Sequence, residues 1–215
     1  MEKSLKLSEK LFCLAVNPKR GGIFLSASSA LGMTLTGSVF VELMNNEVIS
    51  IENGKVHLAN PKASPDEIHE FFLGYLRNRR TDRKMRNWIS FFNFRKRKVQ
   101  KLFIRTLVRK QVLRIEERRI LFIPYEKVFL MDRELVESVR REVENAVLGK
   151  VQPAEGSLIL AVLASKTNLL PGIFPDKQRR KEAAQYLKKL PETQISKAVQ
   201  EAIQMAQAAA YAAIS

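Results

Sequence analysis

The chain has 215 residues, 46% of them hydrophobic, which is enough to bury a substantial core as one domain over 1–215. Its one cysteine excludes an internal disulfide framework, and no run of about 18 apolar residues is present to cross a membrane as a helix. The formal charge of +15 implies an acidic partner or surface, and between Arg77 and Arg119 stand 17 Lys and Arg against three acids, a local excess of +14.

In chain order, Leu5 to Val16 has helical apolar spacing opened by Ser8, with Cys13 as a small buried residue, and Asn17-Pro-Lys-Arg-Gly-Gly22 ends it in turn chemistry. The start, Met1 to Lys10, carries no apolar signal core. A second helix is expected from about Ser28 to Asn45. Val39, Phe40, Val41, Leu43 and Met44 make its upper half apolar nearly all round, so it reads as a central buried helix, with Gly32 and Gly37 where a neighbouring backbone can approach. Glu47 to Ile51 and Lys55 to Leu58 alternate around Asn53-Gly54, the strongest short-range signal for a tight hairpin.

Ser64-Pro65-Asp66-Glu67 combines an N-cap, a first-turn proline and a capping-box glutamate, and the helix it starts turns Ile68, Phe71, Phe72 and Tyr75 inward. Thr81-Asp82 is expected to start a helix holding Met85, Trp88, Ile89 and Phe92. A longer one from about Phe94 to Val112 repeats Val99, Leu102, Phe103, Thr106 and Leu107 on one face. Leu113 to Glu116 and Arg119 to Ile123 read as a second hairpin or ribbon, and its Ile120, Leu121, Phe122 and Ile123 suit a core, a dimer contact or a membrane wedge. Asp132 caps a helix to about Leu148, Ala154 begins an apolar one to about Ala164, and Pro175-Asp176 and Pro191-Glu192 open two more. The sum is a mainly α, compact multi-helix domain around a central helical bundle, with two β-hairpins.

Catalytic chemistry has no visible constellation. His57 and His69 lie on different elements with no cysteine or carboxylate at metal-ligand spacing, so neither a metal site nor a cofactor is expected. Gly21-Gly22 fits neither a Walker loop nor a dinucleotide fingerprint, Ser26-Ala27-Ser28-Ser29 reads as helix-start chemistry, and Glu116-Glu117 lies beside arginines as surface ion pairs. Enzyme is therefore the weakest class.

The strong feature is Arg95-Lys96-Arg97-Lys98 followed by Lys101, Arg105, Arg109 and Lys110. At 3.6 residues per turn Arg97, Lys101 and Arg105 form one row flanked by Lys98 and Arg109. Such a stripe repels itself unless phosphates neutralise it, whether lipid headgroups or nucleic acid, and the plain alternative is a solvated basic face. Four or five basic side chains at an anionic leaflet, at roughly 1 kcal/mol each, suffice for recruitment without a lipid pocket. Nucleic acid is the second reading, since a helix followed by the Asn53-Gly54 hairpin is similar to a winged helix. Against it, the helix before that hairpin is too apolar to lie in a groove.

Over nearly its full length the chain resembles the Golgi phosphoprotein 3 family. The residues that carry the resemblance are Leu7-Ser-Glu-Lys-Leu-Phe12, Gly37-Ser-Val-Phe-Val-Glu-Leu43 leading through Glu47-Val-Ile-Ser-Ile51 into the first hairpin, and Asn87-Trp88-Ile89. Leu107-Val-Arg-Lys-Gln-Val-Leu113, Val143-Glu-Asn-Ala-Val-Leu148 and Leu158 to Ala164 follow in the same order. The resemblance implies a helical domain that recognises phosphatidylinositol 4-phosphate on a cytosolic membrane face and recruits the tails of membrane enzymes.

In that family a tryptophan and three arginines hold the headgroup. Here Arg97 matches one arginine, Gln100 and Thr36 stand where the other two would be, and Ala27 takes the tryptophan's place. Arg95, Lys96, Lys98 and Lys101 would keep anionic-lipid binding by charge. The resemblance also links the second hairpin, about Glu116 to Lys127, to self-association and to the membrane-facing surface. A cytoplasmic, peripheral, compact, bacterial version of the family is expected.

Overall fold

The computed structural model describes residues 4–60, 66–78, 83–149 and 152–190. Helix α1 (Leu7–Ala15) begins at Lys6, not at Ser8. Glu9 caps the Lys6 N–H at 3.0 Å, while Ser8 is pulled into the core because its own N–H donates to Glu42 across the helix pair at 2.6 Å. Phe24 N–H bonds the Ala15 carbonyl where α1 ends, and residues Leu25–Ala27 form a short 3₁₀ turn. Residues 28–30, the expected start of the second helix, continue as turn, so α2 spans Leu31–Asn45. Of its 15 residues 13 are buried, as its apolar circumference requires.

Strands β1 (Ile49–Glu52) and β2 (Lys55–Leu58) make the hairpin, with Asn53 at φ 52° and Gly54 at φ 72° in a two-residue turn with both central residues left-handed. Helix α3 (Glu67–Arg77) is capped by Asp66, whose side chain accepts from His69 N–H at 2.9 Å. The expected cap Ser64, with Pro65, lies outside the described residues, as do Thr81-Asp82 and the helix opened by Pro191-Glu192. A two-residue strand β3 (Arg83–Lys84), which no pattern signals, pairs antiparallel with β2. It leads straight into α4 (Met85–Asn93), in which Met85, Trp88, Ile89 and Phe92 are all buried.

Phe94 closes α4, and α5 (Lys96–Arg109) is shorter at both ends than its periodicity suggests. The second hairpin is longer than expected. Strand β4 (Leu113–Ile120) and β5 (Ile123–Leu130) pair from Leu113 with Leu130 to Ile120 with Ile123, so the turn is Leu121-Phe122 and no break falls near Glu117. Helices α6 (Arg133–Leu148, capped by Asp132), α7 (Glu155–Lys166) and α9 (Lys177–Lys189, capped by Asp176) match their signals, and a single turn α8 (Leu170–Ile173) is additional. The protein is mainly α, and the described residues include two small antiparallel sheets, of three and two strands.

The core sits around α2. Phe40 meets Phe72 and Phe92 with ring centroids 6.1 and 6.3 Å apart, Phe72 and Phe92 approach to 4.3 Å, and Phe12 stacks on Phe103 at 5.5 Å. Gly32 is where α2 meets the α4–α5 junction: a Cβ there would lie 2.9 Å from the Lys96 Cβ and 3.0 Å from Asn93 Oδ1. The Lys96 Cβ is fixed to its backbone and cannot swing aside, whatever the Asn93 amide does. Gly32→Ala should therefore be destabilising, since overpacking of roughly 1–3 kcal/mol outweighs the gain in helix propensity of about 1 kcal/mol. A lowered urea midpoint with an unchanged slope would show it.

The direction of the elements follows from four contacts. Ser8 against Glu42 places the start of α1 at the end of α2, and Phe24 against Ala15 returns the chain to the start of α2. Gly32 against Lys96 and Lys110 against Glu9, at 2.6 Å, make α5 run parallel to α2. The molecule thus has two ends: one where α2 and α5 begin, the other where they finish.

Candidate functional site

Helix α5 offers its apolar side to the core through Val99, Leu102, Phe103 and Leu107, all buried. Helical geometry then forces the other side outward, and Lys96, Arg97, Lys98, Lys101, Arg105 and Arg109 are all exposed. Over 14 residues the row is roughly 20 Å long.

The cations along it are not equivalent. At the far end Arg109 pairs with Glu67 from α3, and Lys110 holds both carboxylate oxygens of the buried Glu9 at 2.6 and 2.7 Å. Arg95 is also engaged: its guanidinium lies 3.8 Å over the Phe91 ring and 5.7 Å from that of Tyr75, and it donates to the Phe91 carbonyl at 3.1 Å. Lys96, Arg97, Lys98, Lys101 and Arg105 have no ion-pair partner among the described residues. The sequence stripe of eight cations is in the fold a cluster of five free charges on the first two thirds of α5.

Of the positions matched to the family's headgroup site, Arg97 is exposed and Gln100 half-buried. Thr36 and Ala27 are fully buried, Thr36 spending its hydroxyl on the Gly32 carbonyl at 2.8 Å. Those two side chains therefore do not face solvent, because α2 is enclosed and the 3₁₀ turn tucks Ala27 under its start.

The hairpin supplies the second feature. Leu121 and Phe122 are 86% and 94% exposed and Ile123 is 70% exposed, on a ribbon whose base is buried through Val128 and Leu130. Of Ile120 only its backbone pairing with Ile123 is described. The turn places Leu121 at φ 46° and Phe122 at φ 71°. The first hairpin makes the same kind of turn from Asn-Gly, the residues that tolerate it. Two bulky apolar residues held there cost on the order of 1–3 kcal/mol each, and such strain is characteristic of sites kept for function.

Lower on the ribbon, Arg114 and Arg118 lie 5.1 and 4.9 Å from the Phe129 ring centroid and both bond Glu116. First the hydrogen bond from Arg118 and then that from Arg114 hold the Glu116 carboxyl below its usual range, despite partial desolvation. Gly21, at φ 66°, lies under that ring: a Cβ there would come within 2.5 Å of Phe129, so only glycine lets the loop after α1 pack against the ribbon.

Sequence reasoning missed a third cluster, at the opposite end. His69 is fully buried, with Nε2 at 2.6 Å from Glu42 and Nδ1 at 3.3 Å from Asp66, and Lys6 joins Asp66. Burial pulls the Lys6 ammonium below its ordinary range, against the opposing pull of Glu42 and Glu9. No spacing signal could reveal this network, since its members come from α1, α2 and α3. It ties three elements together through a fully buried histidine, which makes it a structural lock. Burial likewise pushes the Cys13 thiol up, leaving it unreactive.

Among the described residues no helix is long and apolar enough to cross a membrane, and no group of three or more metal-ligating side chains converges. A shallow cavity of about 450 Å³ between α6 and α7, lined by Glu142, Asn145, Gln152 and Ser157, has its one carboxylate already bonded to Lys10 and Ser157. Compared with known proteins, residues 7–206 match the family described as Golgi phosphoprotein 3 (GPP34). No curated protein matches.

Proposed function

This chain belongs to the Golgi phosphoprotein 3 family, and from that premise we propose that it is a non-enzymatic peripheral membrane adaptor acting as a single domain. It docks on the cytosolic face of a membrane by binding anionic lipid headgroups. The observation that carries the reading is the set of five cations, Lys96, Arg97, Lys98, Lys101 and Arg105, that have no ion-pair partner among the described residues and stand on one helix. At roughly 1 kcal/mol per basic residue near an anionic leaflet, five give strong recruitment at modest ionic strength.

Arg97 is the side chain for a headgroup phosphate, and phosphatidylinositol 4-phosphate is the ligand the family suggests. With Gln100 and Thr36 where two of the family's arginines would stand, its complete set of guanidinium forks is not reproduced here. The proposal is therefore recognition by charge density, with the phosphoinositide bound as one anionic lipid among others. The winged-helix likeness has no support in the fold, because the helix preceding the first hairpin is enclosed over 13 of 15 residues; nucleic acid on the α5 stripe is the alternative reading, which the same cations would serve.

Vesicle co-sedimentation tests this, comparing phosphatidylcholine alone, with phosphatidylserine, and with phosphatidylinositol 4-phosphate. Binding to both anionic vesicles and not to the neutral one is expected, with affinity falling as salt rises. Failure to bind either anionic vesicle would overturn the reading.

The hairpin tip enters the same membrane as an apolar wedge. Exchanging Leu121-Phe122 for Asn-Gly should relieve the left-handed strain and raise stability by about 1–2 kcal/mol, while weakening vesicle binding by removing both inserting side chains. Thermal unfolding and sedimentation on the same sample would read the opposed changes. Self-association through the hairpin is the other use the family suggests. A tip variant that changes the mass in solution and leaves vesicle binding intact would assign the tip to that role instead.

A further inference from the structure

Two more large apolar side chains stand almost wholly in solvent: Leu25 and Phe94, each 89% exposed. They are 69 positions apart in sequence, yet both lie at the end of the molecule where α2 and α5 begin. Leu25 opens the 3₁₀ turn that leads into α2, and Phe94 closes α4 between Asn93 and Lys96, the two residues that abut Gly32. The ribbon reaches the same end. Its base follows Lys110, pinned to Glu9 in the first turn of α1. Farther along, Val128 accepts from Gly22 N–H at 2.6 Å, just beyond the last turn of α1. From there about five residues of strand, roughly 17 Å, carry Ile123 and the turn outward in the same direction.

Charge is divided between the two ends as well. No acid occurs from Asn17 to Val41 or from Arg83 to Ile115, the segments that form the beginning of α2, the α4–α5 junction and α5 itself. Glu9, Glu42, Asp66 and Glu67 instead gather at the finishing end, where they neutralise Lys6, Arg109 and Lys110. In sequence, the exposed residues flanking Leu25 and Phe94 are small hydroxyls (Ser26, Ser28, Ser29) and cations (Lys19, Arg20, Lys96, Arg97). Isolated apolar side chains on segments rich in cations and free of acids suit a fluid, anionic, apolar-centred partner rather than a shaped protein surface.

We infer that Leu25 and Phe94 are bilayer anchors that enter the acyl-chain boundary of an anionic leaflet while Lys19, Arg20, Lys96 and Arg97 beside them hold lipid phosphates. This rests on the membrane-docking reading above and adds its orientation: the protein stands on the end where α2 begins, supported at three points by Leu25, Phe94 and the hairpin tip.

The test uses an environment-sensitive dye on single cysteines introduced as Leu25→Cys, Phe94→Cys and, at the opposite end, the exposed α2 cap Asn46→Cys. Cys13 is fully buried and does not compete for the label. On phosphatidylcholine vesicles containing phosphatidylserine, dyes at 25 and 94 should shift to the blue and be quenched by brominated acyl chains, and the dye at 46 should do neither. The Leu25→Ser/Phe94→Ser variant should bind about a hundredfold more weakly, about tenfold per side chain, with unchanged circular dichroism. If the labelled proteins sediment with vesicles while both dyes stay water-exposed, the anchors are refuted and charge-driven docking stands. If the unlabelled protein does not sediment, the docking reading and the anchors fall together.

Discussion

Exchanging Arg97, Lys98, Lys101 and Arg105 together for glutamine is expected to lower affinity for phosphatidylserine vesicles by about three orders of magnitude. Each of these cations lacks an ion-pair partner among the described residues, so none of those residues neutralises it before the membrane arrives. At roughly 1 kcal/mol per residue their removal withdraws about 4 kcal/mol, and 1.4 kcal/mol is a factor of ten. Glutamine keeps the helix propensity and the apolar stem, so the fold should be unaffected. Arg109→Gln is the internal control. Its guanidinium already pairs with Glu67 at the far end of α5, so its loss should change vesicle binding by no more than a few-fold. A quadruple variant that still sediments like the wild type at physiological salt would remove α5 from the membrane contact. Raising the ionic strength should shrink the difference between variant and wild type, since the screening length falls from about 8 Å at 0.15 M to about 3 Å at 1 M.

Glu42→Leu is expected to be the most destabilising single substitution at the opposite end, at about 3–5 kcal/mol. The carboxylate accepts from Ser8 N–H and faces His69 Nε2, both at 2.6 Å, and neither has water to turn to when it is gone. Breaking a buried pair from one side leaves the other side uncompensated, which is why the loss exceeds what the intact pair contributes. For a chain of this size the melting temperature should fall by roughly 10 °C. Urea unfolding gives the same quantity at constant temperature, and a change under about 1 kcal/mol would show that Ser8 and His69 find other partners. Lys55→Ala, an exposed position in β2, is the neutral comparison, expected within about 0.5 kcal/mol. Vesicle binding by folded Glu42→Leu should be unchanged, since the lock and the free cations lie at opposite ends.

Where a feature rests on periodicity or local capping chemistry, the sequence predicts it closely. The apolar circumference of α2 implies enclosure, Asn53-Gly54 specifies a two-residue turn, and Asp132, Ala154 and Asp176 start their helices as expected. The exposed row of α5 follows from the spacing of Val99, Leu102, Phe103 and Leu107 alone. The family is likewise visible in the order of short matching segments, which the match over residues 7–206 bears out.

Local signals fail where distant segments compete for the same groups. Ser8 looks like a cap, but Glu42 arrives from another helix and takes its N–H, so the helix starts at Lys6. Strand β3 exists because β2 has an edge to fill, and the second turn falls at Leu121-Phe122 because the register from Leu113 to Leu130 carries it there against residue preference. The sequence by itself determined a basic, mainly helical domain with a cationic helix, since charge and periodicity are properties of residues and their spacing. Only the tertiary structure decided which of those cations are free. Glu9 and Glu67 reach α5 from 101 and 42 positions away, and an ion pair depends on distance in space rather than along the chain.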